Sequence, residues 1–274
     1  MESKAGLVTL RDGTVMPRYG FGCYLSKGGD IAELAACALE CGYRYLDSAA
    51  KYENEDGVGR AIKGSGLARE EIYLVSKVWP LSYDHADRSV EQTLRDLDTE
   101  YLDCCLLHWP GTDESRRLKA WEKLMEVQER GLVRSLGVSN FMPDQVEKVK
   151  ECFGVYPVMN EVERHPFYQQ KQIMEYCEQR EIAVVAYSPL KRGVIAEDAG
   201  VREIAARHGK TGNQVVLRWH IQSGSIAIPN SSNLDRIREN FDIFDFELTP
   251  EEIAYIETLE CGSYRGNNPL LFNG

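Results

Sequence analysis

The chain has 274 residues, with 32 Lys and Arg against 43 Asp and Glu, which gives a formal net charge of −11 at pH 7. This negative field repels a phosphate backbone, so nucleic acid is not an expected partner. No apolar run approaches the length needed to cross a bilayer, and residues 1–4 lack the basic-then-apolar pattern of a signal peptide. We therefore expect a soluble, cytoplasmic and monomeric protein with one domain over residues 1–274.

The cysteines lie in apolar contexts without CxxC pairs or His-rich neighbours, which predicts reduced core thiols and argues against a disulfide framework or a bound metal. They are Cys23, Cys37, Cys41, Cys104, Cys105, Cys152, Cys177 and Cys261.

At the start of the chain, Leu7–Leu10 and Thr14–Met16 flank an Asp-Gly turn, which predicts a β-hairpin. Beyond it, short apolar runs alternate with longer segments of helical period, as parallel β/α units require. The runs are Arg18–Gly22, Tyr43–Asp47, Ile72–Lys77, Asp103–His108, Val133–Ser139, Pro157–Glu161, Ala183–Tyr187 and Ser225–Ile228. The helical segments include Ile31–Cys41, Tyr52–Ile62, Ala86–Leu97, Leu118–Arg130, Asp144–Cys152 and Gln170–Arg180.

Eight β/α units predict an α/β fold of the (β/α)8 TIM-barrel type, preceded by the hairpin. A doubly wound open sheet is the main competitor, but its GxGxxG fingerprint is missing, because Gly20-Phe21-Gly22 continues as Cys23-Tyr24-Leu25.

Polar side chains follow nearly every predicted strand, at the rim where a barrel carries its chemistry. Asp47, Lys77 and His108 end three consecutive strands, and Tyr52 follows Asp47 by five positions. Singly, Asp47 could be a helix cap, Lys77 a solvated strand end, His108 a core residue and Tyr52 a packing residue. Four titratable groups converging from neighbouring loops favour an active site.

These motifs resemble the aldo-keto reductase family over essentially the whole chain, closest to short bacterial and protozoan members described as prostaglandin F synthases or 2,5-diketo-gluconate reductases. The matching segments are Leu46–Ala50 with Tyr52, Ser76–Trp79, Leu107–Pro110, Gly137–Phe141, Ala186–Leu190 and Ile228–Pro229. The resemblance implies a TIM barrel that binds NADPH extended across its rim and reduces aldehydes and ketones by hydride transfer.

In this chemistry Tyr52 is the candidate proton donor to the carbonyl oxygen. A free phenol titrates near pH 10, and we expect the Lys77 ammonium to favour its ionised form. Asp47 would hold that ammonium, and a neutral His108 would orient the carbonyl. The family assigns the same roles to the matching residues.

The resemblance implies carboxamide contacts for Ser139 and Asn140, and stacking of Tyr187 on the nicotinamide ring. Ser188, Leu190 and Lys191 belong to a loop whose composition suits the pyrophosphate. Asn230 stands where the family usually has the Lys that pairs with the NADPH 2′-phosphate, so we expect NADPH first, with NADH possible through this loss. The other matching cofactor residues are Ser231, Arg236, Glu239 and Asn240.

Glu161 is a second departure, because the family usually has Gln there. An ionised Glu161 could accept the carboxamide N–H and tighten oxidised cofactor; the alternative is that it is protonated or turned away. Tyr24, Trp79, Trp109 and Phe141 match positions that wall the substrate pocket. Tail residues Tyr264, Arg265, Leu271 and Phe272 could cover it or pack elsewhere.

Two alternatives to a reductase use the same rim. A non-catalytic relative, serving as a cofactor sensor or a structural protein, would bind NADPH with little turnover. A metal-dependent hydrolase is disfavoured because the rim offers one His and no carboxylate cluster.

Overall fold

The computed structural model describes residues 6–24, 30–266 and 271–272. Its main sheet has eight parallel strands, paired in chain order. They are β3 Phe21–Gly22, β4 Tyr45–Asp47, β5 Tyr73–Val78, β6 Leu102–Leu107, β7 Val133–Ser139, β8 Met159–Glu163, β9 Ala183–Tyr187 and β10 Ile226–Ala227.

Hydrogen bonds join the first and last of these strands and close the sheet. Gly20 N donates to Ala227 O, and Gly22 N donates to Pro229 O, both at 3.0 Å. Only glycine fits at position 20, because a Cβ there would lie 2.4 Å from the Tyr45 ring. The predicted TIM barrel is confirmed.

Ten α-helices occur among the described residues, most of them between strands. They are α1 Ile31–Cys41, α2 Glu55–Gly64, α3 Ala86–Asp96, α4 Glu114–Glu129, α5 Pro143–Phe153, α6 Lys171–Glu178, α7 Ala199–His208, α8 Gly212–Gln222, α9 Leu234–Phe241 and α10 Pro250–Glu257. The prediction that Tyr52 opens a helix is wrong. Tyr52 instead ends a short 3₁₀ turn, Ala50–Tyr52. Glu53, in the left-handed region (φ 55°), separates that turn from α2.

The predicted hairpin is present, with β1 Leu7–Thr9 paired antiparallel to β2 Val15–Pro17. Its Leu10 and Met16 are buried in the same cluster as the inward-facing barrel residues Tyr45 and Tyr73. The hairpin therefore plugs the bottom of the barrel, opposite the carboxyl ends of the strands.

All the cysteines are free. Most are buried as predicted, but Cys152 and Cys261 are exposed and are not core thiols. Cys152 lies near the end of α5 and Cys261 follows α10. Among the described residues, no helix is long and apolar enough to span a bilayer.

Candidate active site

Four side chains from neighbouring units meet at the carboxyl end of the barrel. Asp47 ends β4, Lys77 is the penultimate residue of β5, and His108 directly follows β6. Tyr52 reaches the same place from the 3₁₀ turn after β4. The barrel thus brings together the four residues predicted to be catalytic, because parallel strands deliver their carboxyl ends to one rim.

Lys77 is the centre of this cluster and is almost completely buried. Its Nζ donates to Asp47 Oδ1 and to the Ser48 carbonyl at 3.0 Å, and it lies 3.4 Å from the Tyr52 hydroxyl. Asp47 also accepts the Tyr45 hydroxyl at 3.1 Å through Oδ2. Asp47 is therefore a lysine partner and not a helix cap, and Lys77 is not a solvated strand end.

The charges around Tyr52 act in opposite directions. Burial raises the pKa of the Tyr52 phenol, and the nearby Lys77 ammonium lowers it, as predicted. Asp47 and Glu161 raise it further, so the net pKa lies above the ordinary value. Although burial lowers the pKa of Lys77, the same two carboxylates hold it well above its usual range, and the lysine is a cation.

His108 is buried, and burial together with the Lys77 cation holds its pKa well below the ordinary value, so the imidazole is neutral. Its ring meets Tyr52 edge-on with a centroid separation of 5.7 Å, and Trp79 at 5.0 Å. Nδ1 has no hydrogen-bond partner among the described residues. Packing against Tyr52 and Trp79 thus holds the His108 ring in place.

A linked set of polar groups continues from β7 to β9. The Ser139 hydroxyl donates to the Glu161 carbonyl at 3.0 Å. The Asn140 amide donates to Ser139 and to the His108 carbonyl, and its Oδ1 accepts the Tyr187 hydroxyl at 2.8 Å. Asn140 has a left-handed backbone (φ 62°), a conformation that a defined loop must hold in place.

Two cavities open along this rim: an inner cavity of about 540 Å³ beside the catalytic cluster, and a far cavity of about 740 Å³ that continues from it. Residues lining both cavities are Tyr24, Ser188, Asn230 and Arg265, so the two form one continuous groove. All twelve predicted cofactor residues line it: Ser139, Asn140, Glu161, Tyr187, Ser188, Leu190, Lys191, Asn230, Ser231, Arg236, Glu239 and Asn240.

The groove suits a long anionic molecule with an aromatic end. The exposed Arg236 guanidinium makes no ion pair with the described residues and borders the far cavity. Two predicted contacts are engaged within the protein instead: Lys191 donates to the Ser263 carbonyl and hydroxyl, and Asn230 to the Tyr24 carbonyl at 2.6 Å. The length of the groove and the Arg236 guanidinium at its far end are what fit an extended dinucleotide.

Tyr24, Trp79 and Trp109, the predicted substrate-pocket residues, line the inner cavity, and their contact with substrate stays a prediction. Phe141 does not, because it is fully buried, with the Arg117 guanidinium over its ring at 5.9 Å. From the tail, Phe272 lies against Trp109 and Trp79, with ring centroids 4.5 and 5.6 Å apart. Of the other named tail residues, Arg265 lines the cavity, whereas Tyr264 packs on Tyr168 and Leu271 is 78% exposed.

Sequence reasoning missed the residue that anchors this tail. Glu163 accepts the backbone N–H of Arg265, and of Gly266 at 2.6 Å, and pairs with His165 at 3.0 Å. The signal was present, since Glu163 is two residues after Glu161 and side chains two apart on a strand share a face. Tyr45, two before Asp47, was missed for the same reason.

Glu161 is buried, and its Oε2 lies 3.3 Å from Lys77 Nζ. Sequence reasoning assigned it to the cofactor carboxamide, and that contact stays a prediction. Among the described residues, no three His, Cys, Asp or Glu side chains are grouped as ligands for a metal.

A buried Tyr-Lys-Asp cluster beside a neutral histidine, at the end of a groove for a long anion, defines a barrel oxidoreductase. The chain belongs to the aldo/keto reductase family, whose model matches residues 29–260. The predicted family and enzyme class are thereby confirmed.

Relatives match along nearly their full length. An aldo-keto reductase of Mycolicibacterium smegmatis is 40% identical, covering 97% of this chain and 98% of its own. Methylglyoxal reductase DkgA of Escherichia coli K12 is 36% identical, covering 98% of both chains. The solved structure of a Bombyx mori aldo-keto reductase in complex with NADP superposes with a TM-score of 0.89 at 30% identity, covering 96% of this chain and 95% of the other.

Proposed function

We propose that this chain reduces aldehydes and ketones to alcohols with NADPH, with Tyr52 as the proton donor. The observation that carries the proposal is the position of Lys77 Nζ, which contacts Asp47 on one side and the Tyr52 hydroxyl on the other. This arrangement supports proton transfer from a phenol that burial alone would leave too weak an acid.

Bound NADPH would supply the hydride to the carbonyl carbon. Tyr52 would donate its O–H proton to the oxygen that becomes the alcohol, and Lys77 would stabilise the phenolate left behind. The neutral His108 keeps one N–H and can donate it to the same oxygen. Ser139 and Asn140 would bind the carboxamide, and Tyr187 would stack on the ring.

The inner cavity is walled by aromatic rings and has its polar groups at one end, which favours small reactive carbonyls with apolar or aromatic substituents. We propose methylglyoxal and aromatic aldehydes as substrates, the first supported by similarity to methylglyoxal reductase DkgA. A prostaglandin belongs in the same panel, because the sequence resembles prostaglandin F synthases. A monomeric state and a cytoplasmic location remain predictions.

The test follows NADPH absorbance with an aromatic aldehyde and with methylglyoxal, for the wild type and Tyr52→Phe. We expect turnover by the wild type and a loss of at least roughly a hundredfold in the variant, which keeps the ring but lacks the acid. NADPH binding without turnover would instead support a cofactor sensor. Activity of Tyr52→Phe within a few-fold of the wild type would rule out the assigned proton donor.

A further inference from the structure

Glu161 is a buried carboxyl group in the catalytic cluster. The proposed proton transfer does not require it. Its Oε2 lies 3.3 Å from Lys77 Nζ, within ion-pair distance. Asp47 already pairs with the same ammonium. One lysine cation therefore faces two carboxyl groups as well as the Tyr52 hydroxyl.

The charges in this cluster do not balance when every group is ionised. Two carboxylates against one ammonium leave a net negative charge, and an unpaired buried charge is costly. Burial and the neighbouring Asp47 raise the pKa of Glu161 well above its ordinary value, while Lys77 opposes them. The titratable groups that face Glu161 are Asp47 and Tyr45 on β4, Lys77 on β5, Tyr52 on the 3₁₀ turn and Tyr187 on β9.

We propose that Glu161 is a positioning residue which, when ionised, takes up part of the Lys77 charge, so that Tyr52 keeps its proton to higher pH. The proposal rests on the proposed carbonyl reduction. A carboxylate 3.3 Å from the ammonium competes directly with the phenolate for the same cation. The glutamine usual in the family has no charge with which to compete.

The consequence is a displaced pH range for both directions of the reaction. Carbonyl reduction needs the Tyr52 phenol, whereas alcohol oxidation needs the phenolate. Glu161 therefore extends reduction to higher pH and moves oxidation out of the neutral range. The equilibrium between carbonyl and alcohol is unchanged, since a side chain alters only rates and proton affinities.

Glu161→Gln keeps the shape of the side chain and removes the charge. We expect the alkaline limb of kcat/KM for aldehyde reduction, and the rising limb of kcat/KM for alcohol oxidation, to move to lower pH by about one unit. At pH values below the rising limb, kcat/KM for alcohol oxidation would then be about tenfold higher than in the wild type at the same pH. Limbs that stay in place in an active variant would overturn the proposal.

Glu163→Gln is the matched control, because it removes a carboxylate from the same strand that contacts His165 and the tail instead of Lys77. Its pH limbs should stay where they are, even if its KM changes. An equal displacement in both variants would mean that general charge, and not the contact with Lys77, moves the limb, and the proposal would fail.

A direct titration separates this proposal from the proposed function. Phenolate absorbance is measured against pH with and without Tyr52→Phe, in the wild-type and Glu161→Gln backgrounds, and the difference reports Tyr52 alone. We expect the Tyr52 titration to lie lower with Gln at position 161, whether or not the protein turns over any carbonyl. NADPH binding, followed by tryptophan fluorescence, checks that each variant is folded. If the Tyr52 titration does not move in folded variants, the inference about Glu161 is wrong, and the proposed reductase function still stands.

Discussion

The Asn230 side chain donates to the Tyr24 backbone carbonyl at 2.6 Å and joins the loop after β10 to the loop after β3. Both residues border the two cavities where these meet. At the position where the sequence resemblance predicts a phosphate-binding lysine, this chain has a neutral side chain that joins the two walls of the groove. Arg236 lines the far cavity and is the cation predicted to bind a 2′-phosphate.

Asn230→Lys should strengthen the preference for NADPH over NADH. A charge-assisted contact to the 2′-phosphate is worth about 1.5–3 kcal/mol, so the ratio of kcat/KM for the two cofactors should rise roughly tenfold or more. Steady-state kinetics with both cofactors measures this ratio. Asn230→Ala, which also breaks the bond to Tyr24 but adds no charge, is the control. If the wild-type preference already matches that of lysine-bearing relatives, or the ratio rises equally in both variants, the missing cation does not matter.

Phe272→Ala should weaken the binding of aromatic aldehydes. The ring lies against Trp109 and Trp79, and an aromatic pair contributes about 0.5–1.5 kcal/mol beyond simple burial. KM for an aromatic aldehyde should rise roughly two- to tenfold, with a smaller change for methylglyoxal, which has no ring. Leu271→Ala, at the exposed neighbouring position, serves as the control. Equal changes in KM for both substrates would place Phe272 outside substrate recognition.

Lys77→Met should lower both the turnover rate and the free energy of unfolding. The Tyr52 phenol loses the cation that favours proton release, so kcat should fall roughly a hundredfold or more. Asp47 and Glu161 would be left without their cation, and breaking a buried pair costs about 3–5 kcal/mol. Activity assays and thermal unfolding measure the two effects, and NADPH binding should persist. Unchanged turnover would mean that another cation supports the phenol.

Glu55 predicts a pH dependence of stability that is independent of catalysis. It is buried and accepts the hydroxyls of Ser76 and Thr93 at 2.6 and 2.9 Å, yet burial raises its pKa to about 7. A raised carboxyl pKa gives stability that is present below the unfolded value of 4.5 and lost as pH rises through the folded value. Wild-type stability should therefore decline between about pH 4.5 and 7 through this group.

Glu55→Gln removes that titration and keeps one acceptor for the two hydroxyls. We expect its unfolding temperature to match or fall below that of the wild type at pH 5 and to exceed it at pH 8. Thermal unfolding at both values compares the two proteins. A constant difference across this range would show that Glu55 does not titrate there.

The sequence predicted the rim because the β/α rhythm alone puts the ends of parallel strands at one edge. That rule placed Asp47, Lys77 and His108 together without any side-chain geometry, and the family motifs extended it to the cofactor groove. The prediction that Phe141 walls the substrate pocket is wrong, because a position directly after a strand does not determine whether the ring faces the cavity or the helices.

Other features depended on contacts distant in sequence. The tail reaches the site through Glu163, about a hundred residues earlier, and no local pattern encodes that bond. The net effect on Tyr52 likewise required the structure, because the sequence supplied the Lys77 cation but not the degree of burial or the approach of Glu161.

Among the described residues, the hairpin closes the bottom of the barrel. Leu10 and Met16 are buried there, so cofactor and substrate would reach the site from the carboxyl ends of the strands. There, the predicted nicotinamide contacts Ser139 and Asn140 are nearly completely buried, whereas Tyr24 is 48% exposed. If the nicotinamide binds against Ser139 and Asn140, as we propose, it lies deeper than the substrate. We therefore predict that the dinucleotide binds first and leaves last, an order that product-inhibition kinetics would test.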